Sequence, residues 1–469
     1  MRKKTSSAIL LVAVVGAGVA GLAPASASAT AASATATSAS AASATTTASK
    51  VTANSATAAT AAAATATAAT ATAATAAAAI AAAATAAAAT AANATVLKPP
   101  PVTVLTDKGG QNGGDIFVSP YGDSSTYGNG AEILSPNGKK VVWFHQAPAG
   151  DEDSDFRTQT YEGKPVLTFW EGTGLGGVSD GVDYIYNDKY QKIATIEAGD
   201  GDEADGHEFL ITPWNTALIL SFTTATANLT SIGGPKDQAV INGEVQEVDI
   251  KTGKVLFQWK SQDHVPYSES EEPLPASAST PWDWFHINAV KLDSNGNLLI
   301  DARDTWTTYE VSLHSGKILW QLGGKDSSFK LTAAKGLSLD DASEIFAWQH
   351  DAEGHGNGVY TVFDDESAGT GNTGTNSLTD YGYSRALTIK LNFRTHVATL
   401  VASDNQPEGQ IATSQGNADL LGDGDMFVGW GDLPYISEFS PKGQLVFNAE
   451  FPVGVNTYRA YRLPWHPAQ

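Results

Sequence analysis

Cysteine is absent from all 469 residues. That excludes disulfides, thiolate metal sites and a thiol nucleophile. Basic residues are scarce, 28 Lys and Arg against 50 Asp and Glu, for a formal charge of −22. A chain so poor in cations does not suit nucleic acid, whose phosphates need a basic face, nor anionic lipid. The acidic excess names no partner, because it also serves solubility. Helical periodicity is scarce as well: beyond residue 98 only Ala333–Ile345 reads as one short helix.

What is present falls into three parts. Arg2, Lys3 and Lys4 precede an apolar run from Ile9 to Ala20, and small-residue cleavage sites follow at Ala25-Ser26-Ala27 and Ala27-Ser28-Ala29. This is the grammar of an export signal over residues 1–29. A retained membrane anchor is the alternative, although the run is short for a span. The expected location is therefore outside the cell, secreted or associated with the wall, with no membrane insertion once the signal is removed. Residues 30–97 are almost wholly Ala, Thr and Ser. They hold too few large apolar side chains to offset the entropy of ordering, so a disordered linker or stalk is expected, open to glycosylation on threonine. The folded domain is expected over 98–469.

There, short Val/Ile/Leu/aromatic runs alternate with Gly, Asn and Asp turns, an all-β pattern. One phrase recurs: a polar turn, then an alternating strand. Good copies are Ser135–Phe144, Asp249–Trp259, Ser312–Gln321 and Ser440–Phe447; weaker ones are Asn187–Thr195 and Asn392–Leu400. A second hairpin precedes several of them, as at Asn295–Ile300 with Tyr309–Val311 and at Asp423–Val428 with Ile436–Phe439. Two hairpins make a four-stranded blade, and six copies imply a six-bladed β-propeller. A β-sandwich would explain the strands but not the repeat.

Three of the nine histidines precede the innermost strands of successive blades: His207, His286 and His350. Asn417 holds this place in the next blade. Pseudo-symmetry brings such positions to one mouth of the channel, and Arg303, after the next strand of the His286 blade, can point there too. Three imidazoles can hold zinc, but a guanidinium alongside opposes a divalent cation. They can instead serve an oxyanion, with Arg303 as a planar fork of donors and a neutral histidine as nucleophile or base. Buried structural histidines are the third reading. The spacing calls for no metal and no cofactor. Trp284, Phe285 and Trp348 are candidates to stack on an aromatic substrate, or to pack. Asp200, Asp202, Glu203 and Asp205 read as a solvated loop, with calcium as the alternative.

From about Pro99 to Pro467 the chain resembles the bacterial and fungal arylsulfotransferase (arylsulfate sulfotransferase) family, and looks closest to its actinobacterial and fungal branch. The resemblance lies in Arg157 with Tyr161–Trp170, Asp283–Val290, Trp320–Gly324, Gln349–Ala352, Phe427–Gly431, Ser437–Phe439 and Tyr458–Arg462. It implies a six-bladed propeller that moves a sulfuryl group from a phenolic sulfate ester to a phenol through a histidine, without the nucleotide donor. By that likeness His350 is the nucleophile, His207 and His286 support it, and Arg303 holds sulfate. His355 is the rival nucleophile. Two other classes remain open: a non-catalytic binding propeller and a quinone-dependent propeller dehydrogenase. Oligomeric state is not expressed in the sequence.

Overall fold

The computed structural model describes residues 96–109, 113–175, 177–340, 343–367 and 382–467. The chain divides into two units, 1–83 and 84–469, and every described residue belongs to the second. The export signal and nearly all of the Ala/Thr/Ser segment lie outside the described residues.

Six antiparallel sheets of four principal strands make up the domain. Blade 1 pairs Asp115–Gly122, Gly130–Leu134 and Val141–Gln146 with Val455–Leu463, the last strand in chain order, which takes the innermost place. Blade 2 runs outward from Glu152–Tyr161 through Lys164–Thr173 and Asp180–Tyr186 to Lys192–Ile196. The inner strands of blades 3 to 6 are Phe209–Ile211, Ile287–Leu292, His350–Gly354 and Asn417–Leu420. Blades 5 and 6 each gain an outer fifth strand, Lys330–Ala333 and Thr103–Asp107. The propeller expected from the repeat is thus the fold.

All six repeat phrases occupy one structural place. Each is the turn into the fourth strand of its blade, counted from the channel: Val141–Gln146, Lys192–Ile196, Val255–Lys260, Ile318–Gly323, Val397–Asn405 and Leu445–Glu450. The short helix expected at 333–345 does not form in its described residues. Lys330–Ala333 instead pairs in parallel with Val397–Leu400, and a loop follows. Only Ala333 of the stretch joins that strand; beyond it Gly336 takes a φ of 93°, which no right-handed helix accommodates.

Why these strands stack as blades follows from their alternation. Successive side chains on a strand face opposite sides, so a strand inside the ring must be apolar on both. Ala217 and Ile219 pack toward blade 2, while Leu218 and Leu220 pack toward blade 4. Phe117 likewise faces blade 2 and its neighbours Ile116 and Val118 face blade 6. Six such clusters result, one at each seam between blades. The core is therefore a ring of interfaces, and the channel is left to polar groups.

Candidate active site

The inner strands of blades 2, 4 and 5 slip register near their first residues, at Ser154/Arg157, Ile287/Ala289 and His350/Glu353. Such bulges re-aim side chains. The backbone is left-handed nearby, with φ of 49° at Asp155, 45° at His286 and 56° at Asp351. Non-glycine residues seldom adopt it, and it clusters where a side chain must be aimed.

Three of the expected residues meet as a result. The ring centroids of His207 and His286 lie 5.0 Å apart, and those of His207 and His350 5.9 Å apart. All three are almost closed to solvent, at 2%, 4% and 1% exposure. Their ring nitrogens are differentiated by partners. His207 Nδ1 sits 2.5 Å from Asp205 Oδ1, and His286 Nδ1 sits 2.6 Å from Asp283 Oδ2. Each carboxylate fixes its ring through Nδ1 and leaves Nε2 directed elsewhere. His350 differs: its Nδ1 lies 2.7 Å from the Gly416 carbonyl, which can only accept. Nδ1 therefore carries the proton, and Nε2 carries the lone pair. The Tyr458 hydroxyl is 3.3 Å from that Nε2 and donates to the His207 carbonyl at 3.0 Å. Its one proton serves the shorter contact, so the His350 lone pair stays available.

Electrostatics keep His350 neutral. Burial pushes its pKa well below 6.5, and Arg459 and the neighbouring imidazoles of His207 and His286 push the same way. Burial raises Asp205, yet His207 and Ser179 outweigh it and hold the carboxyl below its ordinary value. A charge network lies alongside: Glu208, Asp351 and Arg459 directly follow His207, His350 and Tyr458, and Asp155 and Lys291 join them. Arg459 reaches Asp155 at 3.1 Å, Glu208 at 2.9 Å and Asp351 at 3.2 Å; Lys291 reaches Glu208 at 2.5 Å and Asp351 at 2.7 Å. Arg157 also pairs with Glu208. The network joins blades 1 to 5 directly beside the imidazoles. A cavity of about 610 Å³ lies at the opposite ends of the inner strands, lined by Arg157, Asn215, Glu353, Asp419 and Tyr461 among others. It does not adjoin the histidines, and the chemistry is read from the histidine end.

Arg303 stands beside His286, its backbone N–H donating to the His286 carbonyl at 3.0 Å. The guanidinium covers the Trp348 ring at 5.0 Å and bonds Asp304 at 3.1 Å. Its Nη2 also donates to the carbonyls of Ser367 and Thr413, at 2.9 and 3.2 Å. An anion that takes these donors must displace those carbonyls. Asp283, His286 and Asp304 could hold a metal by spacing alone, with ligand atoms within 4.8 Å of one another. The guanidinium on Asp304 makes that a poor place for a second cation.

Other expected residues serve packing. Asn417 is placed as foreseen, but its amide bridges the Ala460 backbone, with Nδ2 donating to O at 2.7 Å and Oδ1 accepting from N at 2.9 Å. It fastens blade 6 to the closing strand. Gly429 in the same region admits that approach, since a Cβ there would meet Ala460 N at 2.6 Å. Trp284 donates to Asn242 at 3.0 Å, Phe285 stacks on Tyr309 at 5.6 Å, and both lie in the core of the seam between blades 3 and 4. His355 bonds Thr361 at 2.8 Å, five residues along the strand from His350, roughly 15 Å in extended chain. Tyr458 and Arg459 carried no assigned role in the sequence reading. The spacings Asp205-x-His207 and Asp283-x-x-His286 were visible signals for the two orienting carboxylates.

No curated protein matches the chain. Among solved structures, a protein of unknown function from Bacteroides caccae is 13% identical, covers 74% of this chain and 98% of its own, and superposes with a TM-score of 0.43. A protein from Lactobacillus plantarum is 12% identical, with coverage of 74% and 98% and a TM-score of 0.36. The Dos1 propeller is 8% identical, with coverage of 69% and 64% and a TM-score of 0.32. The family model for arylsulfotransferase (ASST) matches residues 157–452, which include His207, His286, Arg303 and His350, and the chain belongs to that family.

Proposed function

We propose that the protein transfers a sulfuryl group from a phenolic sulfate ester to a phenol, with His350 Nε2 as nucleophile. Support comes chiefly from the His350 tautomer: Nδ1–H is held by the Gly416 carbonyl, and the neutral ring lies beside the His207 imidazole, which in turn lies beside that of His286. In the first half-reaction the Nε2–S bond forms as the S–O bond to the aryl group breaks in line. The phenolate departs with its electron pair and takes a proton from Nε2 of His207 or His286, whose Nδ1–carboxylate pairs stabilise the imidazolium. Arg303 holds sulfuryl oxygens once the Ser367 and Thr413 carbonyls give way. In the second half-reaction an acceptor phenol loses its proton to the same imidazole and attacks sulfur, which restores His350. Every atom and proton is returned, so ping-pong kinetics are expected with no nucleotide donor. We also propose that the work is done outside the cell, as the leader suggests, on small phenolic substrates.

The test mixes the purified chain with 4-nitrophenyl sulfate and phenol and follows 4-nitrophenol release, beside His350→Ala. Phenol-dependent release is expected from the wild type alone. Equal release by the variant would move the nucleophile elsewhere. No release from the folded wild type with several acceptors would turn the reading to a ligand-binding propeller.

A further inference from the structure

A second polar cluster lies away from the histidine triad, at the seam of blades 1 and 2. His145 is near the end of the outer strand Val141–Gln146, and Asp153 and Glu171 come from the two inner strands of blade 2. One ligand atom from each lies within 4.8 Å of the others. His145 Nε2 is 2.8 Å from Glu171 Oε2 and 3.9 Å from Asp153 Oδ2. Asp153 is the unusual member. Its side chain is wholly buried, its Oδ2 accepts from the Ala131 N–H at 2.8 Å, and its Oδ1 has no hydrogen-bond partner. Among the described residues, neither Asp153 nor Glu171 pairs with a Lys or Arg. A buried carboxylate beside a second one, with no cation, is costly unless a proton or a metal ion neutralises it.

We infer that His145, Asp153 and Glu171 form a site for one divalent transition-metal ion of the zinc or manganese kind. One imidazole and two carboxylates are a donor set such ions accept. Bonds of about 2.0–2.2 Å at tetrahedral angles place two ligands on one ion about 3.3–3.6 Å apart, so the His145–Glu171 pair at 2.8 Å has to open and the His145–Asp153 pair at 3.9 Å has to close, each by under an ångström. The orienting shell is in place: the Ala131 N–H holds Asp153, and Tyr184 bonds Glu171. His145 and Glu171 keep some exposure, at 25% and 11% of their side chains, which gives an ion a route in. The ion would link the outermost strand of blade 1 to the inner half of blade 2. Asp153 lies near the start of its inner strand, beside Ser154, whose hydroxyl donates to the Gly206 carbonyl at 2.5 Å.

The experiment strips the full chain with EDTA, dialyses it against Zn2+ alone or Mn2+ alone, and counts bound metal. One equivalent per chain is expected, with a Tm that rises with metal concentration. Asp153→Asn keeps an acceptor for Ala131 and should fold, yet should lose the equivalent and the Tm rise; Glu171→Gln should do the same. No uptake of either metal by the wild type overturns the inference. So does unchanged uptake by both variants. Uptake that survives in Asp153→Asn and disappears in His286→Gln would place the ion at the other cluster and overturn it too.

Discussion

His350 should remain neutral well below the pH at which a free imidazole takes a proton. Burial disfavours its cation, and Arg459, His207 and His286 add repulsion of the same sign; only the bond to Gly416 works the other way. An ordinary imidazole, with a pKa near ~6.5, would be about nine-tenths protonated at pH ~5.5. A nucleophile of that kind would lose roughly tenfold in kcat/KM between pH ~7.5 and ~5.5. We expect less than about a twofold loss from this group. The assay measures kcat/KM for 4-nitrophenyl sulfate across that range, with each sample quenched into alkali so that product ionisation does not intrude. An acid limb of unit slope centred near ~6.5 would refute the assignment of a depressed pKa. Stability should carry the same signature. The unfolded chain binds a proton near ~6.5 that the native imidazole refuses, so this group's contribution is full above that pH and declines as pH falls toward the native pKa. Between pH ~6.5 and ~5.5 the decline amounts to about 1 kcal/mol. His350→Gln removes it, so the acid-induced loss of unfolding free energy should be smaller in the variant by about that amount.

Tyr458→Phe deletes the hydroxyl beside Nε2 and leaves the His207 carbonyl unpaired; about 1–3 kcal/mol of stability should go, read by urea unfolding, with about a tenfold fall in kcat. Asn417→Ala leaves both Ala460 backbone groups unpaired, so Tm should fall by several degrees while KM for the donor stays within about twofold. A KM rise without a stability loss would restore Asn417 to substrate binding. His355→Ala should leave kcat/KM within about twofold, since its imidazole bonds the Thr361 hydroxyl and stands five residues along the chain from His350.

The outer hairpins were readable because each is local: a Gly turn and an alternating strand lie within about ten residues. The histidine positions were readable because rotational repetition converts sequence equivalence into spatial convergence. The channel's charge network was not, since Arg459 meets Asp155 and Glu208 across 304 and 251 residues. Nothing local distinguishes such partners. Trp284 and Phe285 looked available for stacking because they flank His286, but the left-handed backbone at His286 aims the imidazole one way and leaves the two rings in the seam. At 333–345 the helical run is broken at Gly336, whose φ is 93°, and only Ala333 joins the added strand of blade 5.

Val455–Leu463 fills the innermost place of blade 1 and brings Tyr458 and Arg459 to the imidazoles. It follows every other described strand in synthesis. The contacts of Tyr458 and Arg459 with His207, His350, Asp155 and Glu208 therefore cannot form before that strand is made, however much of the ring has already assembled. A chain halted before Val455 would lack the closing strand of blade 1 together with Tyr458 and Arg459. A fold latched this late has long sequence separations to bridge and should assemble slowly.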